Sequence, residues 1–402
     1  MLSDFESLAA ILTYIRRSNG VTPQEVGEHL GLGRTVIGQK LNDLSTTGIL
    51  EMADKGRSTG GRAPRILRIQ SNFGVVLCVD VHVTGMRVGI ADLEGTLIAS
   101  HETSIPVANG PDKVLDEVER LGKELLENNP HGKLLGIGIG LPGPVEFITG
   151  KPIAPPIMPG WDGYDVKARL RSAFSVPVLV DNDVNILALG ELRGDKEIDV
   201  KDILFVKIGA GIGAGLISGG KIHRGGNGCA GDIGHVYIAE ADNVVCRCGN
   251  MGCLESIAGG TALSNEGLRL AQSGTSKELA SIFDATQNIT VQDLANAANH
   301  GDAAARALLN HSGKLVGATL ATLVSFYNPE LVVLGGHVAR AGDYVLASIR
   351  EVVYRRSLPL ATRTLRIEPS KLGSSAGMIG ASHLALDSLF SAKELEQWLV
   401  SK

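Results

Sequence analysis

The sequence predicts an α/β protein in which an N-terminal winged helix-turn-helix precedes a larger, two-lobed α/β body. Before residue 73, apolar residues recur at helical spacing and a short basic hairpin follows them. After it, strand-like meanders occur twice, each joined to helices and buried strands, which indicates two lobes with a ligand cleft between them. We therefore expect domains at 1–72, 73–190 and 191–376, with a C-terminal helix at 377–402 completing the first lobe.

The first segment predicts three helices. Asp4–Arg17 has apolar residues at helical spacing, and Thr22–Glu25 is a capping box with proline at the first position of a second helix. Glycines at 31 and 33 predict a turn before a third helix that ends near Gly48. The buried face of this third helix should carry Val36, Ile37, Leu41 and Leu44, and its outward face should carry the candidate DNA contacts Arg34, Thr35, Gln39 and Lys40.

The stretch from Ile49 to Ile69 is typical of a β-hairpin wing with a basic tip. The chain as a whole has a net charge of −5, which by itself argues against nucleic-acid binding. Lys55–Arg68, however, contains five basic residues and no acidic one. Arginines among glycines suit a narrow A·T-rich minor groove, although they could also be the solvated face of a protein-binding domain. The candidate minor-groove contacts are Arg57, Arg62 and Arg65.

The larger body begins with three consecutive strand-like runs separated by tight turns. A helix, two buried strands, a two-stranded glycine-rich series, a long helix and a last buried strand are predicted after them. These elements are expected at 75–83, 85–93, 95–105, 111–129, 134–143, 176–183, 202–220, 302–327 and 331–336.

Two motifs of this body leave alternatives open. Gly209–Gly215 does not match the dinucleotide fingerprint, because a strand follows it, and it is equally compatible with a phosphate-cradling turn and with a structural one. Asp181–Asp183 lies where a predicted strand ends and a helix begins. A carboxylate there could accept a proton from a hydroxyl group, whereas Asn182 or Asp183 could instead cap the helix.

Three of the five cysteines lie within eight positions, at Cys246, Cys248 and Cys253. No apolar run reaches the roughly 18 residues that span a bilayer, and the N-terminus lacks a basic segment, so we expect a cytoplasmic protein that is not bound to a membrane. In a reducing compartment, clustered cysteines favour metal binding over disulfides. With His235 they would complete a tetrahedral zinc site, while incidental surface cysteines or a redox role are the alternatives.

These motifs together resemble the ROK family of bacterial repressors and sugar kinases. The similarity is carried by LPGPVEF, PPIMPGWDG, VDNDVN, GDIGH and CRCGNMGCLE, and it extends to the winged helix-turn-helix that only the repressor members carry. It implies an actin-like, sugar-kinase-like ATPase fold and one structural zinc per chain. The implied zinc ligands are His235, Cys246, Cys248 and Cys253, and the implied sugar-binding residues are Asn182, Asp183, Asp232, His235 and Glu255.

The sequence departs from the kinase members of the family at its phosphate loops. Asp80–Thr84 lacks the two glycines of the usual first loop, and Ala210 replaces a usual threonine in the second. Val83 should crowd a phosphate and resist positive φ. If each lost contact is worth roughly 1.5–3 kcal/mol, nucleotide affinity falls by about 10²- to 10⁴-fold. Asp183 would then be a vestigial base. Two smaller departures are Asp232, where glutamate is usual, and Ile157.

The resulting hypothesis is a sugar-responsive DNA-binding transcriptional regulator, a repressor of carbohydrate-metabolism genes and not an enzyme. Its effector, a sugar or sugar phosphate, would bind in the cleft and change the spacing of the winged domains of a homodimer or homotetramer on a palindromic, A·T-rich operator. The alternative is an ATP-dependent sugar kinase with an appended DNA-binding domain. A regulator that answers to a phosphoprotein is a third possibility, for which the sequence shows no trace.

Overall fold

The fold is that of a computed structural model, which describes residues 4–18, 20–54, 65–195 and 198–400. Its helices are α1 Asp4–Arg17, α2 Pro23–Leu30, α3 Arg34–Thr46, α4 Pro111–Asn128, α5 Val166–Phe174, α6 Asp183–Gly194, α7 Glu255–Ala258, α8 Gly260–Gln272, α9 Lys277–Thr286, α10 Val291–Asn299, α11 Ala303–Tyr327, α12 His337–Arg340, α13 Asp343–Arg356, α14 Pro359–Thr362, α15 Ala376–Leu389 and α16 Ala392–Val400. Its strands are β1 Leu50–Asp54, β2 Arg65–Ile69, β3 Gly74–Val81, β4 Met86–Ala91, β5 Leu97–Thr103, β6 Lys133–Leu141, β7 Val145–Glu146, β8 Lys151–Pro152, β9 Val178–Asn182, β10 Ile203–Ile208, β11 Ile212–Ser218, β12 Lys221–His223, β13 Leu331–Gly335 and β14 Arg366–Pro369.

The N-terminal part is the predicted winged helix-turn-helix. The Thr22 hydroxyl accepts from the Glu25 amide at 3.2 Å and the Glu25 carboxylate accepts from the Thr22 amide at 2.7 Å, so the capping box starts α2. Gly31, at φ +65°, ends that helix in the left-handed conformation that glycine adopts without strain. The antiparallel pair of β1 and β2 forms the wing.

The buried face of α3 is narrower than the sequence pattern predicts. Ile37, Leu41 and Leu44 are buried, but Val36 is 41% exposed. Residues 37, 41 and 44 follow one helical stripe, and Val36 is turned about 100° away from it because each residue advances the helix by that angle. The prediction that Val36 lies in the core is therefore wrong.

Two five-stranded sheets with the same arrangement form the larger body. The first has the order β5-β4-β3-β6-β9 and the second the order β12-β11-β10-β13-β14. In each, three antiparallel strands form a meander. The innermost strand of the meander, β3 or β10, pairs in parallel with the fourth strand of the sheet, β6 or β13, which in turn pairs in parallel with the fifth, β9 or β14. The two predicted meanders are thus confirmed. The carboxyl ends of the parallel strands open onto the space between the sheets, where open α/β sheets bind ligands.

The C-terminal segment returns to the first sheet, where α15 packs on β3, β6 and α6. Glycines permit this close approach, since a Cβ on Gly138 would lie 1.9 Å from the Ala381 carbonyl oxygen. The single helix expected at 377–402 is instead two helices, because α15 ends at Leu389 and Ser391 caps α16 through the Glu394 amide. Within the described ranges, no helix is both long and apolar enough to cross a bilayer.

A partly buried cluster of ionisable side chains, which we call the α1–α15 charge cluster, joins the winged domain to these C-terminal helices. It consists of Arg16, Arg17, Arg193, His383 and Asp387. Arg16 forms an ion pair with Asp387 and donates to Nδ1 of His383 at 2.9 Å. Burial, reinforced by the neighbouring Arg16, lowers the pKa of His383 to about 3. The imidazole is therefore neutral, and since arginine can only donate, its proton is on Nε2.

Candidate ligand cleft and metal centre

A cavity of about 340 Å³ lies between the two sheets, which is large enough for a small ligand. Its walls include the loop after β3, the loop after β6, the start of α6, the turn between β10 and β11 and the cysteine loop. All five side chains that the sequence identifies as sugar-binding line it, namely Asn182, Asp183, Asp232, His235 and Glu255.

The sequence left open whether Asn182 or Asp183 caps the helix, and the structure shows that Asn182 does. The side-chain oxygen of Asn182 accepts from the Val184 amide at 2.9 Å, so Asn182 caps α6. Its amide nitrogen donates to the Gly143 carbonyl at 2.7 Å and thereby ties the cap to the loop after β6. Asp183, the first residue of α6, leaves its carboxylate to the cleft.

Lys207 is a cleft residue that the sequence reasoning missed. It lies on β10 and its ammonium is 2.5 Å from the Asp183 carboxylate. Burial would lower the pKa of Lys207, but the charges of Asp183 and the more distant Asp80 outweigh it and raise that pKa. A lysine within the otherwise apolar strand ILFVKI was the available signal, because an unpaired charge is costly in such a strand.

Arg224, also missed, holds the strand end that carries these groups. Its guanidinium pairs with the Asp181 carboxylate at 2.7 Å and lies over the Phe147 ring, 3.6 Å from its centroid. Asp181 is 1% exposed and accepts from the Asn185 side chain as well. Since Arg224 follows β12 of the second sheet and Asp181 lies on β9 of the first, this contact joins the two sheets next to the Asn182–Asp183 pair.

The candidate metal centre brings together one histidine and three cysteines. The ligand atoms of His235, Cys246, Cys248 and Cys253 all lie within 4.8 Å of one another. Cys248 Sγ is 3.7 Å from Cys253 Sγ, and Cys246 Sγ is 3.6 Å from His235 Nδ1. A tetrahedral zinc with ordinary bond lengths has S···S and S···N edges of about 3.8 and 3.6 Å. The four donors therefore fit zinc in both chemistry and spacing.

Two of the three cysteine thiols of this centre have a raised pKa and so resist ionisation. Burial raises the pKa of Cys246 to about 12, and burial likewise raises the pKa of Cys253. Three thiolates this close would repel one another, whereas a divalent cation favours their deprotonation. This donor set is therefore one that a metal ion would stabilise.

His235 and Glu255 connect the metal centre to the cleft. Nδ1 of His235 faces Cys246, while Nε2 is 3.8 Å from the Asp232 carboxylate. Glu255 accepts from the Ile212 amide at 3.3 Å. Glycine at position 211 leaves room for this carboxylate, because a Cβ there would lie 2.4 Å from a Glu255 carboxylate oxygen. Partial burial raises the pKa of Asp232, with His235 opposing this shift and Glu255 adding to it.

The two candidate phosphate loops have ordinary backbones. In the fully described turn after β3, His82 donates its amide to the Gly85 carbonyl at 2.7 Å and no residue has positive φ. The expected strain at Val83 is therefore absent from this turn, and what Val83 contributes is side-chain bulk in the cleft wall. In the turn from Gly209 to Gly211, the carbonyls of Gly209 and Ala210 accept from amides at the start of α8.

The candidate DNA contacts differ in accessibility. Arg34, Thr35 and Gln39 are exposed on α3, and Arg65 is exposed at the start of β2. Lys40 differs from the prediction, since its side chain is only 12% exposed and pairs with Asp4 of α1. The ion pair with Asp4 directs that lysine toward α1 and away from solvent. The remaining candidates, Arg57 and Arg62, lie outside the described residues.

Comparison with known proteins relates the whole chain to regulators and its larger body to kinases. The ROK family sequence model matches residues 76–388. A putative xylose repressor of Caldicellulosiruptor sp. (strain Rt8B.4) is 30% identical over 383 residues, 95% of each chain. A glucokinase of Halalkalibacterium halodurans is 32% identical over 312 residues, 76% of this chain and 93% of the glucokinase. The crystal structure of a ROK family transcriptional regulator, a homolog of the E. coli MLC protein, matches 99% of both chains with a TM-score of 0.83 at 22% identity.

Proposed function

The chain belongs to the ROK family, and from that premise we propose that it is a sugar-responsive repressor whose effector binds in the cleft between the sheets. One observation carries this proposal: the same chain holds a winged helix-turn-helix with exposed polar residues on α3 and a cleft lined by Asp183, His235 and Glu255. A match over 95% of the chain to a xylose repressor must include most of the winged segment. A match over 76%, as with the glucokinase, need not include it.

The cleft supports binding of a sugar more than transfer of a phosphoryl group. The Asp183 carboxylate is engaged in an ion pair with the Lys207 ammonium. Val83 fills part of the wall where a kinase would need open backbone, and Ala210 offers no hydroxyl. The carboxylates can still accept hydrogen bonds from sugar hydroxyls, which needs no proton removal.

Zinc is the metal proposed for the four-residue centre, one per chain and structural in role. Its four ligands would be His235, Cys246, Cys248 and Cys253, with no open position for a substrate. Bound there, zinc supplies no reaction chemistry. Its role would be to hold His235 and Glu255 at fixed positions in the cleft wall.

A series of contacting helices connects the cleft to the winged domain. Asp183 begins α6, α6 packs along α15, and α15 contacts α1 through the α1–α15 charge cluster. Closure of the cleft on a sugar would shift α6 and with it the winged domain. In a homodimer or homotetramer such a shift changes the separation of two α3 helices, which must match half-sites one helical turn or a multiple apart on a palindromic, A·T-rich operator.

The test of this function uses the full chain and an operator fragment selected from genomic DNA by binding enrichment. Titration with xylose, glucose or N-acetylglucosamine should lower operator affinity at least about tenfold for one of them. Sustained sugar-dependent ATP consumption that disappears in Asp183→Asn would replace this function with that of a kinase. Release of DNA without any dependence on sugar would favour a protein effector instead.

The different exposure of Arg34 and Lys40 yields a prediction about the operator contacts. Arg34→Ala should weaken operator binding about tenfold, the lower range of a base contact, because Arg34 is exposed at the start of α3. Lys40→Ala should change it by about twofold or less, since that ammonium is already paired with Asp4. Gel-shift titration measures both, with unchanged sugar affinity as the control for folding. Equal losses in the two variants would contradict this assignment.

A further inference from the structure

The lining of the cleft contains more carboxylates than strongly basic side chains. Its described lining contains three carboxylates, those of Asp183, Asp232 and Glu255, and two strongly basic side chains, those of Lys207 and Arg247. Arg247 is exposed at the rim. Lys207, whose side chain is 26% exposed, is the less exposed of these two cations, and it is engaged with Asp183.

The Lys207–Asp183 pair joins β10 to the start of α6 in the cleft wall. Asp183 is 6% exposed, and its Oδ2 atom is the one that faces the ammonium. Within the described structure, Asp183 is the hydrogen-bond partner found for Lys207, although an ammonium has three N–H groups. Oδ1 of Asp183 and two N–H groups of Lys207 are thus left for a ligand.

We propose that this ion pair sets the class of the effector, making the cleft selective for an uncharged sugar over a phosphorylated one. The inference rests on the proposed function and narrows it. A hydroxyl group both donates and accepts, so one sugar hydroxyl can donate to Oδ1 while another accepts from the ammonium, and the pair stays intact.

A phosphate group cannot bind to both members of the ion pair in this way. It brings close to two negative charges and only acceptor oxygens, so it must either take Lys207 away from Asp183 or remain beside Asp232 and Glu255 without a buried cation. Breaking a buried pair leaves a carboxylate uncompensated in a medium of low dielectric constant. We therefore expect a phosphate ester to bind on the order of 10²-fold more weakly than its parent sugar.

The proposal is tested by removing the Asp183 carboxylate, which pairs with the Lys207 ammonium in the wild type. Asp183→Asn keeps the shape of the side chain and frees the Lys207 ammonium. Isothermal titration of the full chain with glucose 6-phosphate and with inorganic phosphate should show both binding at least about tenfold more tightly to this variant than to the wild type. The double variant Asp183→Asn, Lys207→Met should lose that gain, whereas Asp183→Asn, Lys221→Met, which removes an exposed lysine on β12, should keep it.

Two results would overturn the proposal. One is wild-type protein that binds the phosphate ester as tightly as the sugar, and the other is Asp183→Asn protein that folds but gains no affinity for either anion. The anion measurement does not require any sugar to bind. Failure of the repressor function would appear instead as operator binding that no sugar changes, so the two failures are distinguishable.

Discussion

Replacing Asp387 with alanine is expected to lower the free energy of unfolding by about 3–5 kcal/mol. Asp387 is the acidic partner of three arginines in the α1–α15 charge cluster, with Arg16 closest, Arg193 at 3.6 Å and Arg17 at 3.7 Å. The Arg16 side chain is 1% exposed. Within the described residues, the Nε atoms of Arg16 and Arg193 already lack a hydrogen-bond acceptor. Loss of the carboxylate would leave the buried Arg16 guanidinium with no counter-charge.

Urea unfolding followed by circular dichroism measures this loss, and an exposed ion pair of the same protein provides the control. Glu351 pairs with Arg355 one helical turn away on α13, where both side chains are more than half exposed. Glu351→Ala should therefore cost about 0.5 kcal/mol or less. If Asp387→Ala costs no more than Glu351→Ala, the cluster does not hold the winged domain to the C-terminal helices.

Replacing Cys248 with serine is expected to remove the bound zinc and to weaken sugar binding about 10- to 100-fold. Serine is a poor zinc ligand at neutral pH, and three donors hold the metal far less tightly than four. The loop would then no longer fix His235 and Glu255 in the cleft wall. Metal analysis of the purified protein measures the first effect and sugar titration the second.

Cys229 offers a matched control for this experiment. It is an exposed cysteine that lies outside the four-residue metal centre. Cys229→Ser should therefore retain a full equivalent of zinc. Wild-type protein that contains no zinc, or Cys248→Ser protein that loses zinc but binds sugar normally, would contradict the assigned role of the centre.

Local patterns were enough to predict most elements of the fold. The capping box of Thr22 and Glu25 starts α2 where predicted, because both hydrogen bonds form within four residues. The strand meanders follow from short apolar runs with tight turns between them. Each meander pairs strands that are consecutive in the chain. Motif similarity identified five residues of the cleft wall and the four of the cysteine cluster, since both sets are spaced along the chain in a recognisable pattern.

The sequence by itself therefore determined many of the helices and strands, the family resemblance and the set of candidate ligands. The tertiary structure decided how charges are paired. Lys207 meets Asp183 across 24 residues, Lys40 meets Asp4 and Arg16 meets Asp387 across 371, and none of these contacts has a local signature. The reason is physical: a side chain's ionisation and accessibility depend on the charges and burial that distant segments impose after folding.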